Sequence, residues 1–258
     1  MIFKFNFKTI FMVYEKIREE WDDPDAGSIR KSPLPRYLQY SLILYERMPV
    51  ADGMKIVDVG CKNIRQWFKV LRDRKNVQLF GVDVSPIYVS PISFERSLPY
   101  KRSIESVGNN NRVELILRKN ERLPFPDDFC DMSVAIEEVI YAGKKAEKEV
   151  EEVRRIAKTG GDVILTFSHK NLWKNLPSEN LKEINKRYQV PVVEGNIAKF
   201  EDGTEHAVFD ENGVKSLLER VGLKAVTMET YPLGKLGSKD DLLSQKRKST
   251  IYVESKKI

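Results

Sequence analysis

A glycine placed directly after an apolar run lets a ligand approach the backbone closely, and Lys55-Ile56-Val57-Asp58-Val59-Gly60-Cys61-Lys62 has this form. The run reads as a buried strand, with Gly60 as the turn that leads into a helix. In a sheet of parallel strands such a turn presents backbone N–H groups over the crevice at the strand ends, where small polar ligands bind. Roughly 20 residues further on, a second apolar run, Leu79-Phe80-Gly81-Val82, ends in Asp83 and Val84. A carboxylate at the tip of the neighbouring strand can accept hydrogen bonds from ribose hydroxyls. Asp58, Gly60, Cys61, Lys62, Asp83 and Val84 are therefore candidate binding residues. The alternative is an ordinary turn glycine, with Asp83 capping Ser85-Pro86.

Acid–base chemistry has few candidates. The chain has 2 histidines, and an imidazole titrates near neutrality. His169 follows a predicted strand at its ligand-facing end, and His206 precedes the last predicted helix. Glu137 and Glu138 stand at the end of the fourth predicted strand. His206 and Glu137 are the candidate general bases for an acceptor that must lose a proton. Capping or packing is the alternative for either histidine, and a solvated loop acid is the alternative for Glu137. Cys61 and Cys130 have neither metal-ligand spacing nor a disulfide framework, so the expectation is no metal site, small core cysteines and a reducing cytoplasm.

Positioning these groups requires alternating strands and helices. Periodicity predicts strands at 55–59, 77–82, 113–117, 132–136, 162–167, 224–229 and 250–254, and helices at 65–73, 94–107, 144–157 and 212–221. The expected fold is α/β, a doubly wound, mostly parallel seven-stranded sheet. In helix 144–157, Val150, Val153, Ile156 and Ala157 form one face. Glu147, Lys148, Glu151 and Arg155 are expected to pair outside, and Thr159-Gly160-Gly161 to stop the helix. Asp210 is a predicted N-cap and Gly222 a predicted helix stop. Residues 1–53 form an expected N-terminal helical extension or lid, with Tyr14, Trp21 and Arg30 either closing over the ligand or packing on the sheet. Residues 54–258 form the α/β domain, with an insertion at about 169–205.

With 41% hydrophobic and 32% charged residues among 258, the composition is that of a globular protein, and no membrane association is expected. Abundant Lys and Glu give it a thermophile-like cast. The net charge of +6 permits contact with RNA without requiring it, because the basic residues are scattered among 38 acids.

From about residue 54 to 230 the chain resembles the class I S-adenosylmethionine-dependent methyltransferases, the type 11 group in particular. Val57-Asp58-Val59-Gly60-Cys61 is similar to the family's first motif, Asp83 to its ribose acid, and Glu121-Arg122-Leu123-Pro124-Phe125-Pro126-Asp127 to its adenine-side loop. Phe129-Cys130-Asp131, Arg155-Ile156-Ala157-Lys158-Thr159-Gly160-Gly161 and Leu217-Leu218-Glu219-Arg220-Val221-Gly222-Leu223 match later segments in order. The resemblance implies a Rossmann-like methyltransferase fold with S-adenosylmethionine as cofactor. It places ribose at Asp83, the amino-acid portion near Gly60, and adenine at Asn120, Glu121 and Leu123. The implied acceptor is small or medium-sized, enclosed by the N-terminal segment and the insertion. The chain departs from the family at Lys62 and Ile64, where glycines are usual, at Lys119 in place of an acid, and at Ala142 in place of a histidine. With the basic balance, these departures motivate a second reading, a methyltransferase-like protein that binds a partner or RNA without catalysis.

Overall fold

The computed structural model describes residues 45, 47–61, 67, 70–71, 73–85, 110–171, 191–200, 202–232 and 248–258. Most of the N-terminal extension with Tyr14, Trp21 and Arg30, the predicted helix 94–107, Lys62, Ile64 and much of the insertion lie outside the described residues. The chain forms two compact units, Met1–Lys119 and Asn120–Ile258.

In the first unit, β1 (Lys55–Val59), β2 (Gln78–Asp83) and β3 (Arg112–Leu117) pair in parallel in the order β3-β2-β1. Ile56, Val57, Asp58 and Val59 are all fully buried, as a strand covered on both faces must be. Helical Trp67 and Leu71 are buried in this unit too. Asn111 fastens the helical segment to the strands. Its amide donates to the carbonyls of Leu71 (2.8 Å) and Arg74 (2.9 Å), and its oxygen accepts from the Val77 N–H (2.8 Å).

The second unit contains β4 (Cys130–Ala135), a 3-10 turn (Val139–Lys145), α1 (Ala146–Ile156) and β5 (Ala157–His169). There follow three short strands, β6 (Val192–Glu194), β7 (Ile197–Lys199) and β8 (Glu205–Phe209), then α2 (Glu211–Arg220), β9 (Leu223–Pro232) and β10 (Lys248–Lys257). β4 and β5 are parallel, and β10 lies antiparallel between β5 and β9. β8 joins the end of β5 in parallel, with β7 and β6 antiparallel beyond it. All seven expected strands are present, and β6, β7 and β8 add to them within the expected insertion and just after it.

Both ends of α2 form as expected. Asp210 accepts a hydrogen bond from the Gly213 N–H at 2.7 Å, and Gly222, at φ 68°, closes the helix. α1 departs from expectation in three respects. Its predicted first residues, Lys144 and Lys145, belong to the 3-10 turn, set off by Gly143 at φ 52° and ψ −125°. Its outward charges do not form the expected pairs: Glu147 pairs with Arg220 of α2, and Arg155 with Glu152 one turn back and with Asp127, rather than with Glu151. The helix also stops before the expected glycines, at Ala157, whose φ of −71° and ψ of 143° are already extended. Gly160, at φ 76°, instead turns an irregularity of β5: Ala157 pairs with Cys130 and Asp162 with Met132, leaving the residues between them looped out.

Candidate functional site

At the end of β1, Gly60 takes a φ of 69°, a left-handed conformation that favours glycine. The N–H groups of Gly60 and Cys61 both donate to the carbonyl of Val82, at 2.8 and 3.1 Å. The turn therefore folds over the end of β2, and these two amides are committed within the protein rather than to a ligand. Because Val59 is in register with Val82, Gly60 and Asp83 follow side by side at the strand tips. Asp83 is buried, and its Oδ1 accepts from the Ser85 N–H at 2.8 Å, so the turn-capping role is filled. Val84 follows it with 62% of its surface exposed, a large apolar side chain at the tip.

Asp58 lies inside this unit with no solvent exposure. Its Oδ2 accepts from the Trp67 indole N–H at 2.7 Å and from the Tyr45 hydroxyl at 3.1 Å, and the two rings meet edge-on at 5.0 Å. A buried indole N–H needs an acceptor, and Asp58 is one that periodicity alone does not nominate. Cys61, three residues further on, is buried as well.

In the second unit, Asn120 and Glu121 are exposed, and Glu121 is bonded to Lys145. Leu123 and Phe125 are buried although their segment is neither helix nor strand. Arg155 and Glu152 of α1 hold that segment by its backbone. The Leu123 N–H donates to Glu152 at 2.8 Å, and the guanidinium donates to the carbonyls of Phe125 (2.8 Å) and Leu123 (3.2 Å). The hydrogen bond to Glu152, followed by that to Asp127, raises the Arg155 pKa further, so the guanidinium stays charged. Phe125 stacks on Phe129 at 4.6 Å.

Glu137 follows β4 in a left-handed conformation, at φ 58°, unusual for a residue with a side chain. Its N–H donates to the hydroxyl of buried Thr166 at 2.7 Å, which fixes the bend. Non-glycine residues held this way concentrate at functional sites.

His206 stands on β8, opposite Ala198 of β7. Phe200 and Tyr141 meet its ring edge-on at 4.8 and 5.3 Å. Burial lowers its pKa, against a smaller opposing effect of Asp202, and the imidazole is neutral at neutral pH. Its Nδ1 is buried without a hydrogen-bond partner among the described residues. His169 is engaged differently. Its Nδ1 accepts from the Asn171 N–H at 3.0 Å, which assigns the proton to Nε2, facing Glu211 at 3.3 Å. Buried at the end of β5, it fills the capping and packing role.

Residues 57–165 match the family model described as a methyltransferase domain. Methyltransferase GfsG of Streptomyces halstedii is 29% identical over 119 residues, 46% of this chain and 39% of that protein. The chain spans half or less of the length of the curated relatives it matches, 49% and 39%. Among solved structures, geranyl diphosphate C-methyltransferase of Streptomyces coelicolor, in complex with S-adenosyl-L-homocysteine, superposes with a TM-score of 0.59. It is 15% identical, with 92% of this chain and 88% of that chain covered. A complex of the Haloferax volcanii Trm112 methyltransferase activator with a methyltransferase gives a TM-score of 0.56 at 17% identity, covering 90% and 95%. The fold is the α/β, Rossmann-like fold of the class I methyltransferases. Within that fold, residues 57–165 are similar to the methyltransferase domain that the family model describes.

Proposed function

We propose that this chain transfers a methyl group from S-adenosylmethionine to a small or medium-sized acceptor. The observation that carries the reading is the conjunction of the family match over residues 57–165 with a left-handed Gly60 beside Asp83 at the tips of β1 and β2. These residues fit the cofactor. A side chain at Gly60 would need a disfavoured backbone conformation, and a buried carboxylate suits a diol. In the first unit, Asp83 binds the ribose hydroxyls, Gly60 and Cys61 line the amino-acid portion, Val84 lies against the nucleoside, and Asp58 holds the strand beneath through Trp67 and Tyr45. In the second, Asn120, Glu121 and Leu123 serve the adenine.

The bound cofactor supplies an electrophilic methyl group, and the protein's task is to orient the acceptor and exclude water. Glu137, on its fixed bend, and His206, kept neutral by burial, are the groups able to take a proton from an acceptor hydroxyl or nitrogen. Isothermal titration with S-adenosylmethionine tests the reading. Binding that is lost in Asp83→Ala supports it, and no binding at millimolar cofactor overturns it while leaving the fold intact.

A further inference from the structure

The segment 123–125 makes no regular structure, yet Leu123 and Phe125 are buried on either side of exposed Pro124, so its shape must be imposed from outside. Side chains of α1 bond its backbone. The Leu123 N–H and carbonyl and the Phe125 carbonyl all end on Glu152 and Arg155, 29 to 32 residues away in sequence. Those two side chains are locked to each other by a two-pronged bond, Nε to Oε1 at 2.8 Å and Nη2 to Oε2 at 2.9 Å. With side-chain exposures of 16% and 21%, the pair is shielded enough to be rigid. A lysine could not reproduce it, because only the planar guanidinium serves a carboxylate fork and two carbonyls together.

We infer that Glu152 and Arg155 are a positioning pair that sets the shape of the Leu123-Pro124-Phe125 segment and, through it, the affinity for the adenine end of the cofactor. The inference rests on the methyl-transfer reading above. Neither residue touches the reacting atoms, so the pair governs cofactor binding and leaves the chemical step unchanged once the cofactor is bound.

The test compares R155M, R155K and E152Q with R154M. Arg154, the neighbouring residue on α1, bonds to the carbonyls of Gly222 (3.2 Å) and Ile258 (3.4 Å) instead. Expected for R155M and R155K is S-adenosylmethionine binding weaker by about tenfold or more, with KM for the cofactor raised in step and kcat at saturation held within about twofold. R154M should lower Tm without changing cofactor affinity. In E152Q, hydrogen exchange at the Leu123 amide should accelerate, a readout independent of activity. Wild-type affinity in R155M and R155K, or equal weakening in R154M, would overturn the inference alone. A wild-type chain that binds no S-adenosylmethionine would remove the functional reading and this inference with it.

Discussion

Replacing Lys257 by methionine should destabilise the second unit more than its exposed neighbour Lys256 does, and the size of the effect follows from three contacts. The Lys257 ammonium, on β10, donates to the carbonyl of Ala157 (2.9 Å), the carbonyl of Arg155 (3.3 Å) and Oδ1 of Asp128 (2.9 Å). Arg155 and Ala157 lie at the end of α1, where carbonyls lack partners within the helix and a cation is favoured. Asp128 has 53% of its side chain exposed, and water replaces that contact readily. The carbonyls decide the magnitude. A charge-assisted hydrogen bond contributes about 1.5–3 kcal/mol, and the longer contact to Arg155 less. Methionine keeps the apolar stem and relieves a buried ammonium, which offsets part of the loss. The net cost is about 2 kcal/mol, or a fall of roughly 4–8 °C in Tm for a chain of this size. Lys256, also on β10, is 44% exposed and pairs with Asp162 at 2.6 Å. Such a surface pair contributes at most about 1 kcal/mol. Differential scanning calorimetry of K257M and K256M decides the matter, and equal Tm values for the two variants would refute the reasoning.

Trp67→Phe removes one donor from the buried Asp58 carboxylate and should cost about 1–3 kcal/mol in urea denaturation; an unchanged midpoint would show that the 2.7 Å contact contributes nothing. The adjacent glycines of β5 should separate. A Cβ at Gly160 meets nothing within 4 Å, so Gly160→Ala costs only its left-handed backbone, about 1–2 kcal/mol. A Cβ at Gly161 would lie 2.8 Å from the Lys158 carbonyl and 2.9 Å from that of Asp131, so Gly161→Ala must displace backbone and should unfold at lower urea. For His206, burial lowers the folded pKa below 6.5, so the unfolded chain binds the extra proton first. Its contribution to stability is complete above pH 6.5 and is lost as pH falls through the folded pKa. His206→Gln should flatten the acid limb of a stability–pH curve, and an unaltered limb would assign that limb to other groups.

The framework around the candidate site was legible because its signals are local. β1 occupies residues 55–59 as expected, since a run of β-branched residues before a glycine admits few other structures. Asp210 and Gly222 mark the ends of α2, because capping is a property of the cap residue and its immediate turn. The strands β6 and β7 were not legible. Three residues are too few to display alternation, and these strands exist only through pairing with β8. The partners of Asp58 were equally hidden: Tyr45 and Trp67 lie 13 and 9 residues away, at separations that belong to no single helix or strand period.

The misassigned glycines show how a correct motif can carry an incorrect local explanation. The pattern from Arg155 to Gly161 predicts a helix terminated by glycine, yet α1 ends at Ile156 and the glycines serve the loop between the two pairings of β5 with β4. Gly161 needs its missing side chain because two carbonyls close on it, a requirement of packing rather than of helix termination. The same segment contributes Arg155, whose guanidinium reaches back to the Leu123 and Phe125 carbonyls. Two stretches that resemble the family separately are thus one physical device, an irregular segment anchored by buried Leu123 and Phe125 and the ion pair that shapes it. Their separation in sequence is set by β4, the 3-10 turn and most of α1, the elements that bring the chain back to the same place. Lengthening α1 by one residue ahead of Glu152 would rotate both side chains by about 100° while leaving every motif residue present. A match to the motifs alone would score such a chain unchanged, whereas the geometry predicts that its Leu123 segment would lose its shape.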